Sequence, residues 1–226
     1  FNNIKNSQHT IMHYRAIIRI LGLLVALFSV TMIPPAIVSL IYEDGSGLPF
    51  FLAFILCILT GCVFWYPNRS HRQDLRAREG FLIVVLFWSV LASFGAIPFI
   101  LLEQPSMTVT DAFFESFSGL TTTGATVIEG IDFLPHSVQF YRQQLQWLGG
   151  MGIIVLAVAI LPILGVGGMQ LYRAETPGPV KDSKMTPRIA DTAKHLWYIY
   201  LSLTTACTLA YWFAGMDWFD AICHSF

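Results

Sequence analysis

Five long runs of apolar residues without a formal charge constrain this chain more than any other feature. Ile20–Tyr42 holds 23 uncharged residues, Leu48–Tyr66 holds 19, Phe81–Leu102 holds 22, Gln143–Tyr172 holds 30 and Leu196–Met216 holds 21. A bilayer core about 30 Å thick takes about 20 helical residues to cross. Buried strands of a soluble α/β protein would be about 4–8 residues long and would alternate with amphipathic helices. The runs here are too long and too uniform for that. Charged residues make up only 12% of the 226 residues, against about 25% in soluble domains, and mean hydropathy is +0.61. The fold expected is an all-α polytopic membrane protein with five spans.

The charges between the runs alternate in sign. The segments 1–19, 67–80 and 173–195 hold twelve of the thirteen basic residues and five acids, a formal +7. The opposite segments hold Arg142 and nine acids, a formal −8. Positive loops stay in the cytoplasm, so the N-terminus is expected there. Residues 1–11 carry no pattern, and Met12 reads as a natural start. The net charge of −1 offers no field for nucleic acid. The first span is too long for a signal peptide and lacks a small-residue cleavage site.

An integral-membrane enzyme would place ionisable or nucleophilic groups within its spans. The first three runs contain no Asp, Glu, Lys, Arg or His. Ser and Cys occur there without the base that a hydrolytic constellation needs. Cys57, Cys62, Cys207 and Cys223 are scattered through apolar surroundings and read as packing thiols. His136, His195 and His224 lack metal-ligand spacing.

Segment 103–142 differs from an ordinary loop. After the turn-forming Glu103-Gln104-Pro105-Ser106, a short helix is expected, capped by Thr110 or Asp111, with Phe113, Phe114 and Phe117 on an apolar packing face. It is too short to span. Thr121-Thr122-Thr123-Gly124-Ala125-Thr126-Val127 follows, β-branched and interrupted by a glycine that accepts positive φ. Irregular backbone at membrane depth is tolerated only when buried in protein or lining a wet cavity. An extended Thr/Gly run can offer successive carbonyls to a dehydrated cation, as in channel filters. The competing reading is a plain Thr-rich outer loop.

A short repeat favours the first reading. Asp111–Phe117 and Asp220–Phe226 are both Asp-Ala-x-x-x-Ser-Phe, and both follow an apolar run on the acidic side. On this pattern the chain is expected to be a fragment that stops where a second filter-like segment would begin.

At these residues the chain resembles the TrkH-type potassium uptake proteins of the Trk/Ktr/HKT superfamily. The likeness runs through Asp111–Phe117, Leu120–Val127, Gln144–Val155 (with Gly149-Gly150-Met151-Gly152) and Gly167–Glu175 to Pro177-Gly178-Pro179, and covers Met12 to Phe226. The resemblance implies helix–pore-helix–filter–helix repeats around one pore, here as a partial chain. On that map 1–19 is a cytoplasmic segment and 20–66 holds two extra helices. Residues 81–172 form the first pore repeat, 173–195 a basic cytoplasmic loop, and 196–226 the start of the second repeat.

It also implies K⁺ sites on the backbone carbonyls of Thr122, Thr123, Gly124 and Ala125, with Asp111, Phe114 and Ser116 in the pore helix. Glycine at position 124 goes with K⁺ preference in the family, and serine there with Na⁺ transport in some plant relatives. The transported ion is the only cofactor implied. The implied partners are a second copy of the protein, a cytosolic nucleotide-binding subunit of the TrkA type and the lipid bilayer of the bacterial inner membrane. A structural or accessory membrane subunit without its own ion pathway is the alternative. It would explain the spans but not the repeated short segments.

Three further features read as structural. The glycines at 149, 150, 152, 165, 167 and 168 read as helix-packing positions. Pro34-Pro35 and Pro162 read as kinks. Arg142 reads as an outer-surface residue within reach of Glu129 or Asp132.

Overall fold

The computed structural model describes residues 14–69, 77–160 and 185–226, with side chains at 82–152 and 192–226 in the latter two stretches. Among the described residues the chain is helical, without strands. It divides into two compact units. One comprises residues to Phe113 together with Pro135–Ser137, and the other Phe114–Leu134 with Val138–Phe226.

The first unit begins with α1 (Tyr14–Ser29), a 3₁₀ turn (Val30–Met32) and α2 (Ile33–Tyr42), which together make one 29-residue span. The turn follows from Pro34-Pro35. Pro34 has no N–H for the carbonyl of Val30, and Ile33 donates its amide there instead. The prolines then sit in the first turn of α2, where missing donors cost least. Next come α3 (Gly47–Trp65) and α4 (Ala77–Leu101). Three stretches are long and apolar enough to cross a membrane: Tyr14–Tyr42, Gly47–Asn68 and Leu82–Leu101.

Lipid tails are as apolar as Leu, so helices in a bilayer associate by close packing rather than by the hydrophobic effect. Gly22 of α1 and Gly61 of α3 provide this approach. A Cβ on Gly61 would lie 2.6 Å from the Ala26 nitrogen and 2.7 Å from the Gly22 carbonyl oxygen. Phe28, Met32, Phe50, Ala53 and Cys57 fill the interior, whereas Leu27, Ile37, Leu40, Leu59 and Val63 stand exposed. An apolar exterior is the expected surface for helices in lipid. Of the thiols, Cys57 and Cys223 are buried, Cys62 is exposed, and none is bonded to another among the described residues.

Asp44 organises the turn after α2. Its Oδ1 accepts from the Ser39 hydroxyl at 2.5 Å and the Ser46 amide at 3.0 Å, and its Oδ2 accepts from the Ser137 amide at 2.9 Å. Burial alone would raise its pKa. The hydrogen bonds from Ser39, Ser137 and Ser46 outweigh that and hold the carboxyl below its ordinary value.

The second unit takes in most of α5 (Val109–Leu120), the polar segment after it, a 3₁₀ turn (Ile131–Phe133), α6 (His136–Ile160) from Val138 onward, α7 (Met185–Phe213) and α8 (Trp218–Ser225). Trp147 is its hub. The indole N–H of Trp147 donates to Thr204 Oγ1 at 3.1 Å, and Tyr200 donates to the Trp147 carbonyl at 3.0 Å. Phe226 stacks on the indole with centroids 5.2 Å apart. Thr208 and Ser225 join α7 to α8 by a 2.7 Å hydroxyl bond.

The helices extend beyond the uncharged runs. α6 starts seven residues before Gln143, and α7 eleven residues before Leu196. Helical hydrogen bonding continues wherever the backbone permits it, regardless of where a bilayer would end. The glycines at 165, 167 and 168, Pro162 and most of the 173–195 loop lie outside the described residues.

Candidate functional site: a polar segment stapled to a short helix

The site is built on α5. Twelve residues give a helix about 18 Å long, too short to cross a bilayer. Thr108 caps it, two residues before the earliest cap the sequence suggested. Its hydroxyl donates to Asp111 Oδ2 at 2.6 Å and accepts from the Asp111 amide at 3.2 Å, and Asp111 Oδ2 reaches back to the Thr108 amide at 3.3 Å. This is a reciprocal capping box with Asp at the third helical position. Asp111 therefore stabilises the start of the helix, where the dipole is positive.

The buried face of α5 is small and polar rather than aromatic. Ala112, Glu115, Ser116, Ser118 and Leu120 are buried, while Phe114 is 44% exposed. The phenyl packing face expected at 113, 114 and 117 is thus incorrect for Phe114. α6 comes too close to leave room for a large side chain between the two helices. A Cβ on Gly119 would lie 3.0 Å from Leu145 Cβ, and a Cβ on Gly149 would fall on the backbone carbonyl of Leu120. For Gly149 the packing role expected of the glycines is the one observed.

At its C-terminus α5 turns into the Thr/Gly segment through a Schellman-type cap. The Thr123 amide bonds the Ser118 carbonyl at 2.9 Å, and the Thr122 amide bonds the Gly119 carbonyl at 2.9 Å. The Thr121 amide bonds Phe117, and the Gly124 amide reaches Ser118 at 3.4 Å. Thr122 occupies the left-handed position at φ 55°, where glycine is usual, and Gly124 follows at φ 72°. A threonine held there is a local strain that the surroundings must impose.

The result is a division of labour along the backbone. The amides of residues 121–124 are all consumed by the end of α5. Among the described residues the carbonyls of Thr122, Thr123 and Gly124 have no hydrogen-bond donor. The Ala125 carbonyl accepts from Ser118 Oγ at 2.6 Å.

The far end of the segment is held by charge. Glu115 is buried in the middle of α5. Its Oε1 accepts from Thr126 Oγ1 at 2.5 Å and the Val127 amide at 2.7 Å. Its Oε2 accepts from Arg142 Nε at 3.0 Å, with side-chain exposures of 7% and 2% for Arg142 and Glu115. The surface role expected for Arg142 beside Glu129 or Asp132 is therefore overturned: the guanidinium is buried against Glu115 instead. Glu115 is not among the partners the sequence suggests for Arg142. The available signal was that Arg142 is the one basic residue among nine acids on its side.

The second Asp-Ala-x-x-x-Ser-Phe segment forms α8 in the same register. Asp217, three residues before Asp220, caps α8 by accepting the Phe219 amide at 3.1 Å, as Thr108 stands three residues before Asp111. No cluster of three or more His, Cys, Asp or Glu side chains that could hold a metal ion occurs among the described residues.

Long apolar helices, together with a short helix that cannot span and leads into an exposed polar segment, define an all-α polytopic membrane protein. The particular family follows from comparison. The profile described as "TrkH: Cation transport protein" matches residues 46–226, and the chain belongs to the TrkH family.

The chain is 69% identical over 215 residues to the Trk system potassium uptake protein TrkH of Escherichia coli (strain K12), and 67% identical over 215 residues to that of Vibrio parahaemolyticus. It is 46% identical over 212 residues to the Trk system potassium uptake protein TrkG of E. coli (strain K12). These alignments cover 94–95% of this chain and 44% of each relative, so the chain spans less than half the length of the curated relatives it matches. The crystal structure of the potassium transporter TrkH from V. parahaemolyticus superimposes with a TM-score of 0.84 at 61% identity, over 95% of this chain and 42% of that one.

Proposed function

We propose that this chain supplies the first pore repeat, about residues 81–172, of a bacterial inner-membrane K⁺ uptake protein. Thr122, Thr123, Gly124 and Ala125 contribute their carbonyls to one quarter of its selectivity filter. One observation carries this reading: the amides of 121–124 are spent on α5 while the carbonyls of 122–124 keep their lone pairs. Oxygen without a competing donor is what a dehydrated cation requires. The Ala125 carbonyl has a second lone pair beyond the one Ser118 uses.

Further support comes from α5, whose C-terminal end, equivalent to about half a negative charge, is followed directly by this segment. The Trk relatives named for potassium uptake support the choice of ion. Transport on this reading is exchange of water for carbonyl oxygen, with no covalent step. The loop charges favour a cytoplasmic N-terminus and an acidic outer face that concentrates cations. By likeness to the family, the working assembly is a homodimer with a cytosolic nucleotide-binding subunit of the TrkA type.

The test is rubidium uptake by a full-length TrkH chain carrying these residues, in cells without their own K⁺ uptake. Competition by K⁺ and not by Na⁺ is expected. No uptake, with the protein inserted and the cytosolic partner co-expressed, would remove the assignment.

A further inference from the structure

We propose that the buried Glu115–Arg142 pair is a positioning device for ion selection, acting on the filter segment through Thr126 and Val127. This rests on the pathway reading above and assigns a role to two residues that never meet the ion.

The geometry goes beyond what stability requires. A buried ion pair can often be replaced by apolar residues of similar volume without loss of stability. What an apolar pair could not supply is three directed bonds on one carboxylate. Oε1 holds both the Thr126 hydroxyl, at 2.5 Å, and the Val127 amide, at 2.7 Å, while Oε2 holds Arg142 Nε, at 3.0 Å. All three partners are donors, and a carboxylate is the side chain that accepts at both oxygens.

Arg142 supplies the opposite charge beside the buried carboxylate. The pair therefore anchors the segment immediately after Ala125, while the Schellman cap anchors it before Thr123. Carbonyls suspended between two fixed ends keep their spacing, and spacing and number of oxygens set the preference between cations of different size.

Glu115→Gln tests this directly. The amide would turn its NH₂ towards a donor whichever way it is oriented, towards Arg142 or towards Thr126 and Val127. Arg142→Gln leaves the carboxylate buried and unpaired. In the full-length protein, each single variant is expected to let Na⁺ compete with rubidium about tenfold more effectively than in wild type. The double variant pairs two neutral amides and is expected to recover most of the lost discrimination.

Unchanged competition in single variants that reach the membrane at wild-type level would overturn the proposal, and so would a double variant as poor as the two losses combined. If the single variants do not accumulate, Thr126→Val, which deletes one hydroxyl, decides: wild-type discrimination overturns the proposal, and increased Na⁺ competition upholds it. A wild-type protein whose uptake K⁺ does not compete would instead remove the pathway reading itself.

Discussion

Ser118 and Ala125 lie seven residues apart in sequence and are joined by one bond, the Ser118 hydroxyl donating to the Ala125 carbonyl at 2.6 Å. Ser118 is buried in the last turn of α5, and its own carbonyl accepts the amides of Thr123 and Gly124. One residue thus grips the segment at both ends of its left-handed turn. Replacing Ser118 by Ala removes the side-chain half of this grip and leaves the backbone half. The expected cost is about 1 kcal/mol, the net worth of one hydrogen bond. It should appear as a lower Tm in detergent and a few-fold loss of K⁺ over Na⁺ preference in rubidium uptake. A wild-type ratio in this variant would show that the Ala125 carbonyl needs no orientation.

Gly124→Ser separates space from conformation. A Cβ there meets nothing nearer than Gln146 Oε1 at 3.8 Å, so the side chain fits. The backbone, at φ 72°, does not suit it. Left-handed geometry costs an L-residue about 1–2 kcal/mol, which the segment can relieve only by rotating peptide planes. Weaker K⁺ preference over Na⁺ with normal membrane insertion is expected. Unchanged flux ratios would remove Gly124 from the filter.

Gly149→Ala is a contrasting case. The new methyl would collide with the Leu120 backbone, which is not a flexible side-chain end that can move aside. Overpacking of this kind costs about 1–3 kcal/mol. Loss of folded protein, read as lower Tm and lower membrane abundance, is expected before any change in selectivity. Full abundance with normal uptake would mean that α5 and α6 can separate at no cost.

Asp44→Asn should destabilise in a pH-dependent manner. The folded carboxyl titrates below its ordinary value, so its contribution is complete above the unfolded pKa of about 4 and disappears as pH falls through the folded one. At pH 7 the variant should melt below wild type by an amount matching the loss of a helix-capping group, about 1 kcal/mol. The two melting curves should converge as pH falls below about 4. A difference that does not change with pH would show that Asp44 acts by shape rather than charge.

Much of the architecture was legible because it depends on local pattern. Uninterrupted apolar runs identified α1 to α4, and the repeated Asp-Ala-x-x-x-Ser-Phe marked two short helices that both have their cap three residues before the Asp. The Thr/Gly segment was legible as non-helical because β-branched residues and a glycine oppose helix continuation. The cap at Thr108 was missed because Thr108, Thr110 and Asp111 are all good caps, and only the reciprocal bond chooses among them. Phe114 departs from the packing stripe that three phenylalanines at helical spacing suggest, because α6 approaches closely at Gly119 and Gly149.

The sequence by itself determined that this chain is helical and membrane-spanning, with one polar, non-helical segment after a short helix. Transfer of apolar residues to lipid and intra-helical hydrogen bonding act on residues near one another in the chain. Only the tertiary structure decided which carboxylate Arg142 meets, since Glu115, Glu129 and Asp132 are equal candidates by charge. The crossing of α5 and α6 at Gly149 and Leu120 brings Glu115 to Arg142 across 27 residues of chain. Burial then makes the choice binding, because a charge removed from water must find its partner where the packing has placed one.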